Sequence, residues 1–163
     1  AAIDSRADCN FKEPKSETMI WTDGWGGYTV ARQRVVDLMD KYRARNPVVL
    51  SGDVHSHFVT RVLKDWKDQN SACVAPEFTC TAISSFLRNL EPWAGPGGGN
   101  ERTIVDLDCR HHGYTLCEVT NETFDVTAKR ITPNALAPDV GAVKAETSYT
   151  YRVTTGDPEP RKI

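Results

Sequence analysis

The sequence is short of the features that assign a protein to a class at once. Its net charge is small: 20 Lys+Arg against 22 Asp+Glu leave −2 at pH 7. The pI is about 6.1, so no strong field of either sign favours nucleic acid or an anionic membrane surface. No run of about 18 apolar residues occurs, and no segment is expected to span a membrane as a helix. No CxxC or CxxxxC pair joins Cys9, Cys73, Cys80, Cys109 and Cys117, which argues against a structural zinc site. An oxidising compartment would allow these five two disulfides and one spare thiol; the alternative is buried free thiols, since cysteine packs as a small hydrophobe. Internal repeats are absent, as are an initiator Met and a basic-then-apolar leader. The opening Ala1-Ala2-Ile3-Asp4-Ser5 fits a processed terminus or a cut into a longer protein.

What is present is 163 residues, 39% apolar and 26% charged, enough for one domain with a real core but not comfortably two. Residues 1–20 are polar and read as an irregular arm, 21–131 as the core, and 132–163 as a loop followed by an edge strand. Ala31, Val35, Leu38, Met39 and Tyr42 recur at helical spacing on one apolar face. Thr29 can cap the start of this helix, and Asn46-Pro47 stops it. Val48-Val49-Leu50 then predicts a short strand buried on both faces. Further strands are expected at 57–66, 72–83 (antiparallel to the one before), 103–107, 113–120, 123–131 and 147–154, with Asn121-Glu122 as a tight link and a frayed end. Gly95-Pro96-Gly97-Gly98-Gly99 is too rich in glycine to pack. A helix feeding a buried strand ahead of many others suggests one half of a layered α/β structure.

The sharpest chemical feature is Leu50-Ser51-Gly52-Asp53-Val54-His55-Ser56-His57. Sites in open α/β sheets lie beyond the carboxyl ends of strands. If the segment is extended, Asp53 and His55 at i and i+2 face one site together. Carboxylate oxygen suits calcium or magnesium, and imidazole suits iron, zinc or copper, so the pair hints at two unlike metals. The competing reading is an aspartate capping a turn beside a hydrogen-bonded loop histidine. His57 could face the same cleft or be a plain surface residue. Arg110 or His112 could contact a substrate phosphate; the alternative is a surface salt bridge. His111-His112 makes a poor metal dyad, because neighbours in a strand point to opposite faces. Asp23, Trp25 and Tyr28 could line a cleft, with packing against the helix the stronger reading. Trp93 could touch a lipid or an aromatic substrate, and Glu77 needs a buried partner, which favours a structural role.

Val48-Val49-Leu50-Ser51-Gly52-Asp53-Val54-His55-Ser56 resembles the last metal motif of PhoD-type alkaline phosphatases and phosphodiesterases, members of the calcineurin-like metallophosphoesterases. Three stretches agree in order. Asp23-Gly24-Trp25-Gly26-Gly27-Tyr28 with Ala31-Arg32-Gln33-Arg34 is similar to the family's Trp-Asp-Gly-Tyr segment entering a helix. Glu77-Phe78-Thr79-Cys80-Thr81-Ala82-Ile83-Ser84-Ser85 is similar to its Glu-Phe…Thr-Ser-Ile-Ser-Ser strand. Cys109-Arg110-His111-His112-Gly113-Tyr114 is similar to its Ser-Arg-Arg-Arg-Gly-Tyr segment.

The resemblance, over roughly residues 20–131, implies the C-terminal half of a layered αββα sandwich. It implies hydrolysis of phosphate mono- or diesters by a two-metal centre, a phospholipase D-like diesterase included. Asp53 would hold the divalent site, calcium in this family, and His55 the iron site, with manganese or zinc as alternatives. His57, Arg110 and His112 are the candidate catalytic residues. A secreted or periplasmic location is expected. The family's earlier metal motifs, Gly-Asp-x-x-Asp and Gly-Asn-His-Asp/Glu, do not occur here. The expectation is therefore a cleaved or truncated chain that docks on an N-terminal chain or segment of the same enzyme. The rival class is a non-catalytic β-rich ligand-binding module.

Overall fold

The computed structural model describes residues 24–25, 27–42, 45–68, 70–87, 90, 103–132 and 143–163. The arm at 1–20, Asp23, Trp93 with its glycine-rich loop, and 133–142 lie outside the described residues, as does Cys9. Helix α1 spans Thr29–Tyr42. Turns closed by Gly27 N–H to the Gly24 carbonyl (2.9 Å) and Tyr28 N–H to Trp25 (3.2 Å) lead into it. The strands are β1 (Val49–Ser51), β2 (His57–Leu63), β3 (Cys73–Thr79), β4 (Ile104–Asp108), β5 (Gly113–Val119), β6 (Thr123–Thr132), β7 (Lys144–Thr154) and β8 (Asp157–Lys162).

They form two four-stranded sheets, β1-β3-β2-β4 and β5-β6-β7-β8. In the first, β1 lies parallel to β3, with Ser51 opposite Thr79, and β2 runs antiparallel to both β3 and β4. The second is antiparallel throughout. Val59 and Phe78 of the first sheet share a core with Val126, Ala128, Tyr149, Tyr151 and Val153 of the second, so the sheets pack face to face. A smaller core gathers Val54, Phe58, Leu90 and Ile104. Strand β8 crosses the first sheet from strand to strand. Pro158 accepts from the Cys73 thiol on β3 (3.6 Å), Glu159 pairs with Arg61 on β2 (2.6 Å), and Lys162 pairs with Asp106 on β4 (2.7 Å).

Three features differ from the sequence expectation. The apolar face of α1 is open: Leu38 and Tyr42 are exposed, while Arg32 and Val36 are buried. Strand β1 is an edge, and Leu50 is 58% exposed instead of buried. The chain's end does not fray. It forms β8, so β7 lies inside its sheet and the edge passes to β8. Pro158 and Pro160 disguise that strand in the sequence, and an edge is where a sheet tolerates proline. The link at Asn121-Glu122 is a hairpin turn, closed by Thr120 N–H donating to the Thr123 carbonyl (2.9 Å). Cys73, Cys80, Cys109 and Cys117 are free thiols. Burial pushes the Cys73 thiol up to about 12.

Candidate active site

The parallel β1 and β3 end at the same side of the sheet as the start of β2 and the end of β4, since His57 pairs with Asp108 and Phe58 with Thr79. The connections at 52–56, 80–87 and 109–112 therefore meet at one end. Asp53 and His55 stand on the first of them.

Their presentation is not the extended one expected from the sequence. Asp53 (φ 71°) and His55 (φ 58°) are both left-handed. Asp and His reach this region more readily than most residues, at a backbone cost of about 1 kcal/mol each. Between them Val54, 1% exposed, plugs into the smaller core. The turn is thus pinned at its middle and offers its two polar residues outward. Asp53 is exposed and lines a cleft of about 500 Å³ with Trp25, Tyr28, Leu50 and Glu77.

His55 is oriented by its neighbour. Its Nδ1–H donates to the Phe86 carbonyl at 2.7 Å, and the two rings meet edge to face at 5.0 Å. A carbonyl only accepts, so Nδ1 carries a proton; in the neutral ring Nε2 is then the lone-pair nitrogen, the arrangement usual for a metal-ligating histidine. Beside it Ser56 Oγ is fully buried and has no hydrogen-bond partner among the described residues. An outward carboxylate and an imidazole held through Nδ1 are donors whose chemistry fits a cation site. Among the described residues no group of three or more ligating side chains comes together, so the pair is at most part of one.

The other expected residues are placed differently. His57 is fully buried between the sheets. Its Nε2–H donates to the Lys129 carbonyl (3.3 Å), and its Nδ1 accepts the Thr81 N–H (3.4 Å). Burial holds its pKa below the ordinary imidazole value, so it is a neutral bridge turned away from the cleft. Arg110 is exposed on the 109–112 loop. His112 is 1% exposed, and its Nε2–H donates to the Ser85 carbonyl at 2.7 Å. His111 turns instead to Asp108, with Nδ1 at 2.9 Å from Oδ1. The adjacent histidines therefore have different partners, and they lie on the connection before β5, not in a strand as expected from the sequence. Glu77 is buried as a structural carboxylate. It accepts from Ser51 Oγ (2.7 Å) and Thr60 Oγ1 (3.4 Å) and attracts Arg32, whose own pKa burial lowers. Trp25 and Tyr28 line the cleft but remain largely exposed.

Burial pushes the Asp108 carboxyl up, but His111, the Arg110 N–H and the Ser148 hydroxyl together hold it below the ordinary carboxylate range. The unfolded chain, with its aspartate near 4 (roughly), takes up a proton first as pH falls. Stability from Asp108 is therefore complete above that value and is lost as pH drops through the lower native one. Asp108→Asn is expected to flatten the acid limb of a urea-denaturation series. An unchanged acid limb would remove Asp108 from the pH dependence.

Two facing sheets, with a carboxylate and an imidazole raised at one end of a parallel strand pair, describe part of a layered α/β fold. The sequence model of the PhoD-like phosphatases matches residues 5–128, and the chain belongs to that family. It is 26% identical over 140 residues to alkaline phosphatase D of Bacillus subtilis, spanning 80% of this chain and 22% of that protein. A solved structure described as the structure of PhoD superposes with a TM-score of 0.72 at 23% identity, covering 96% of this chain and 29% of the other. That likeness carries the fold. The chain spans between a fifth and a third of the length of these relatives.

Proposed function

We propose that this chain supplies the last ligand pair, Asp53 and His55, to a metal-dependent centre that hydrolyses phosphate esters. The observation that carries the reading is the His55 turn: an Nδ1–H held by a backbone carbonyl at 2.7 Å with Nε2 left as the donor atom. Family membership supports the reaction class. Asp53 would hold a hard divalent cation through oxygen, and His55 a borderline metal through nitrogen; calcium with iron fits this division, and manganese or zinc are the alternatives. When bound, such a pair polarises the phosphoryl oxygens and lowers the pKa of a metal-bound water. The chain's own residues do the rest by position. Asp53 and His55 are fixed by the plug of Val54, Arg110 faces solvent at the same end where a phosphate would be held, and His57 and His112 set the loops. The substrate is a monoester or a diester, a phospholipid diester included.

The remaining ligands would come from an N-terminal chain or segment of the same enzyme. Among the described residues β1 has one unpaired edge, with Leu50 exposed, and α1 an open face; a further strand and its helix would add there. An apolar groove of about 330 Å³ runs between them, lined by Val36, Met39, Val48, Leu50 and Trp66. A secreted or periplasmic location accords with this reading. Among the described residues no helix is long and apolar enough to cross a membrane.

Elemental analysis of the natural full-length polypeptide tests the proposal. Iron and calcium bound in stoichiometric amounts, with phosphoesterase activity lost on chelation and regained on reloading, are expected. A metal-free preparation that is fully active would sink it, and a metal-free, inactive protein that binds ligand through its loops would point to the binding module.

A further inference from the structure

We infer that His112 is a positioning residue for His55, acting through two adjacent carbonyls of the 80–87 loop. This rests on the reading of His55 as a metal ligand. His112 Nε2–H donates to the Ser85 carbonyl at 2.7 Å, and His55 Nδ1–H donates to the very next carbonyl, Phe86, also at 2.7 Å. The 80–87 loop is tied at further points. The Thr81 hydroxyl donates to the His111 carbonyl (3.2 Å), and the Gly113 N–H donates to the Ala82 carbonyl (3.2 Å). His112 is itself fixed from behind, because its carbonyl accepts the Ile131 N–H at 2.7 Å on β6.

A chain of hydrogen bonds therefore runs from the second sheet to His55. Strand β6 holds the 112 backbone, the His112 ring holds the Ser85 carbonyl, and the Phe86 carbonyl sets both the tautomer and the tilt of His55. Phe86 is 64% exposed, so the hold on the adjacent Ser85 carbonyl helps fix where the Phe86 carbonyl points. Partners one step behind a metal ligand typically change metal affinity about 10–100-fold when removed. His112 stands one step further back, so the lower part of that range applies.

The test uses the metal-stripped, full-length polypeptide titrated with zinc ions, alongside thermal melting. His112→Phe keeps a buried ring and removes the donor; zinc affinity is expected to fall about tenfold. His112→Gln can donate to the Ser85 carbonyl and is expected to restore affinity to within a few fold. Wild-type zinc affinity in a folded H112F protein overturns the inference. Should H112F fail to fold, H112Q decides: near-wild-type affinity upholds the donor role, and a tenfold loss at an unchanged melting temperature contradicts it. His55→Ala is the separate control. If it binds zinc as the wild type does, the ligand reading fails, whatever His112 does.

Discussion

Asp53→Ala in the full-length polypeptide is expected to lower kcat by about a thousandfold or more, a loss of about 4 kcal/mol of transition-state stabilisation, with the fold unchanged. His55→Ala is expected to act alike. The size follows from the proposed role: a metal ligand would hold a cation where charge develops in the transition state, so its loss would be felt in kcat more than in KM. The selectivity follows from burial. Asp53 is exposed and His55 half-buried, whereas the turn is anchored by Val54, so truncation at either position leaves the smaller core filled. Melting curves and steady-state kinetics on the same preparations check this. Full turnover in D53A would take Asp53 out of the centre.

The second large effect concerns Gly113. A methyl group added there would lie 1.8 Å from the Lys129 carbonyl oxygen and 2.9 Å from its carbon, both backbone atoms of the paired strand. The clash cannot be relieved by a rotamer change, because the obstacle is the β6 backbone opposite. Gly113 is also where the second sheet begins and where its N–H ties the 80–87 loop. Gly113→Ala is expected to cost about 4 kcal/mol of unfolding free energy, read as a drop in the urea midpoint with an unchanged slope. In this case activity falls with the folded fraction, unlike D53A, where activity falls in a folded protein. A G113A protein with wild-type stability would mean that the β5–β6 approach is looser than these distances.

Local periodicity disclosed much of the fold. The helix expected from Ala31 to Tyr42 is present, and β2 and β3 pair antiparallel as the two apolar runs suggested. Periodicity says which face of α1 is apolar but not what covers it, so the openness of Leu38 and Tyr42 could not be read in advance. Strand β8 escaped notice because Asp157-Pro158-Glu159-Pro160 has the composition of a loop. Long-range pairing with β7 makes it a strand, and being at the edge spares it the missing N–H donors.

The candidate site is a motif in the sequence and acquires a geometry only in the structure. Gly52-Asp53-Val54-His55 marks a strand end, but nothing in residue types distinguished an extended segment from a left-handed turn. His55 and His57 look equivalent in the sequence. Only the register of β2 against β3 and β4 turns His57 inward, against Tyr149 and the Lys129 carbonyl. The carbonyls of Ser85 and Phe86 were invisible, since every residue carries a backbone carbonyl and only tertiary contact decides which of them holds a ring.

Diffraction from the full-length polypeptide at two wavelengths bracketing the iron absorption edge is the most direct test of the ligand pair. We predict an anomalous peak about 2.1 Å from His55 Nε2, the ordinary metal–imidazole distance, with a second cation about 2.3–2.6 Å from an Asp53 oxygen. A fully active protein with both metals bound elsewhere, and neither His55 nor Asp53 within reach of them, would contradict it.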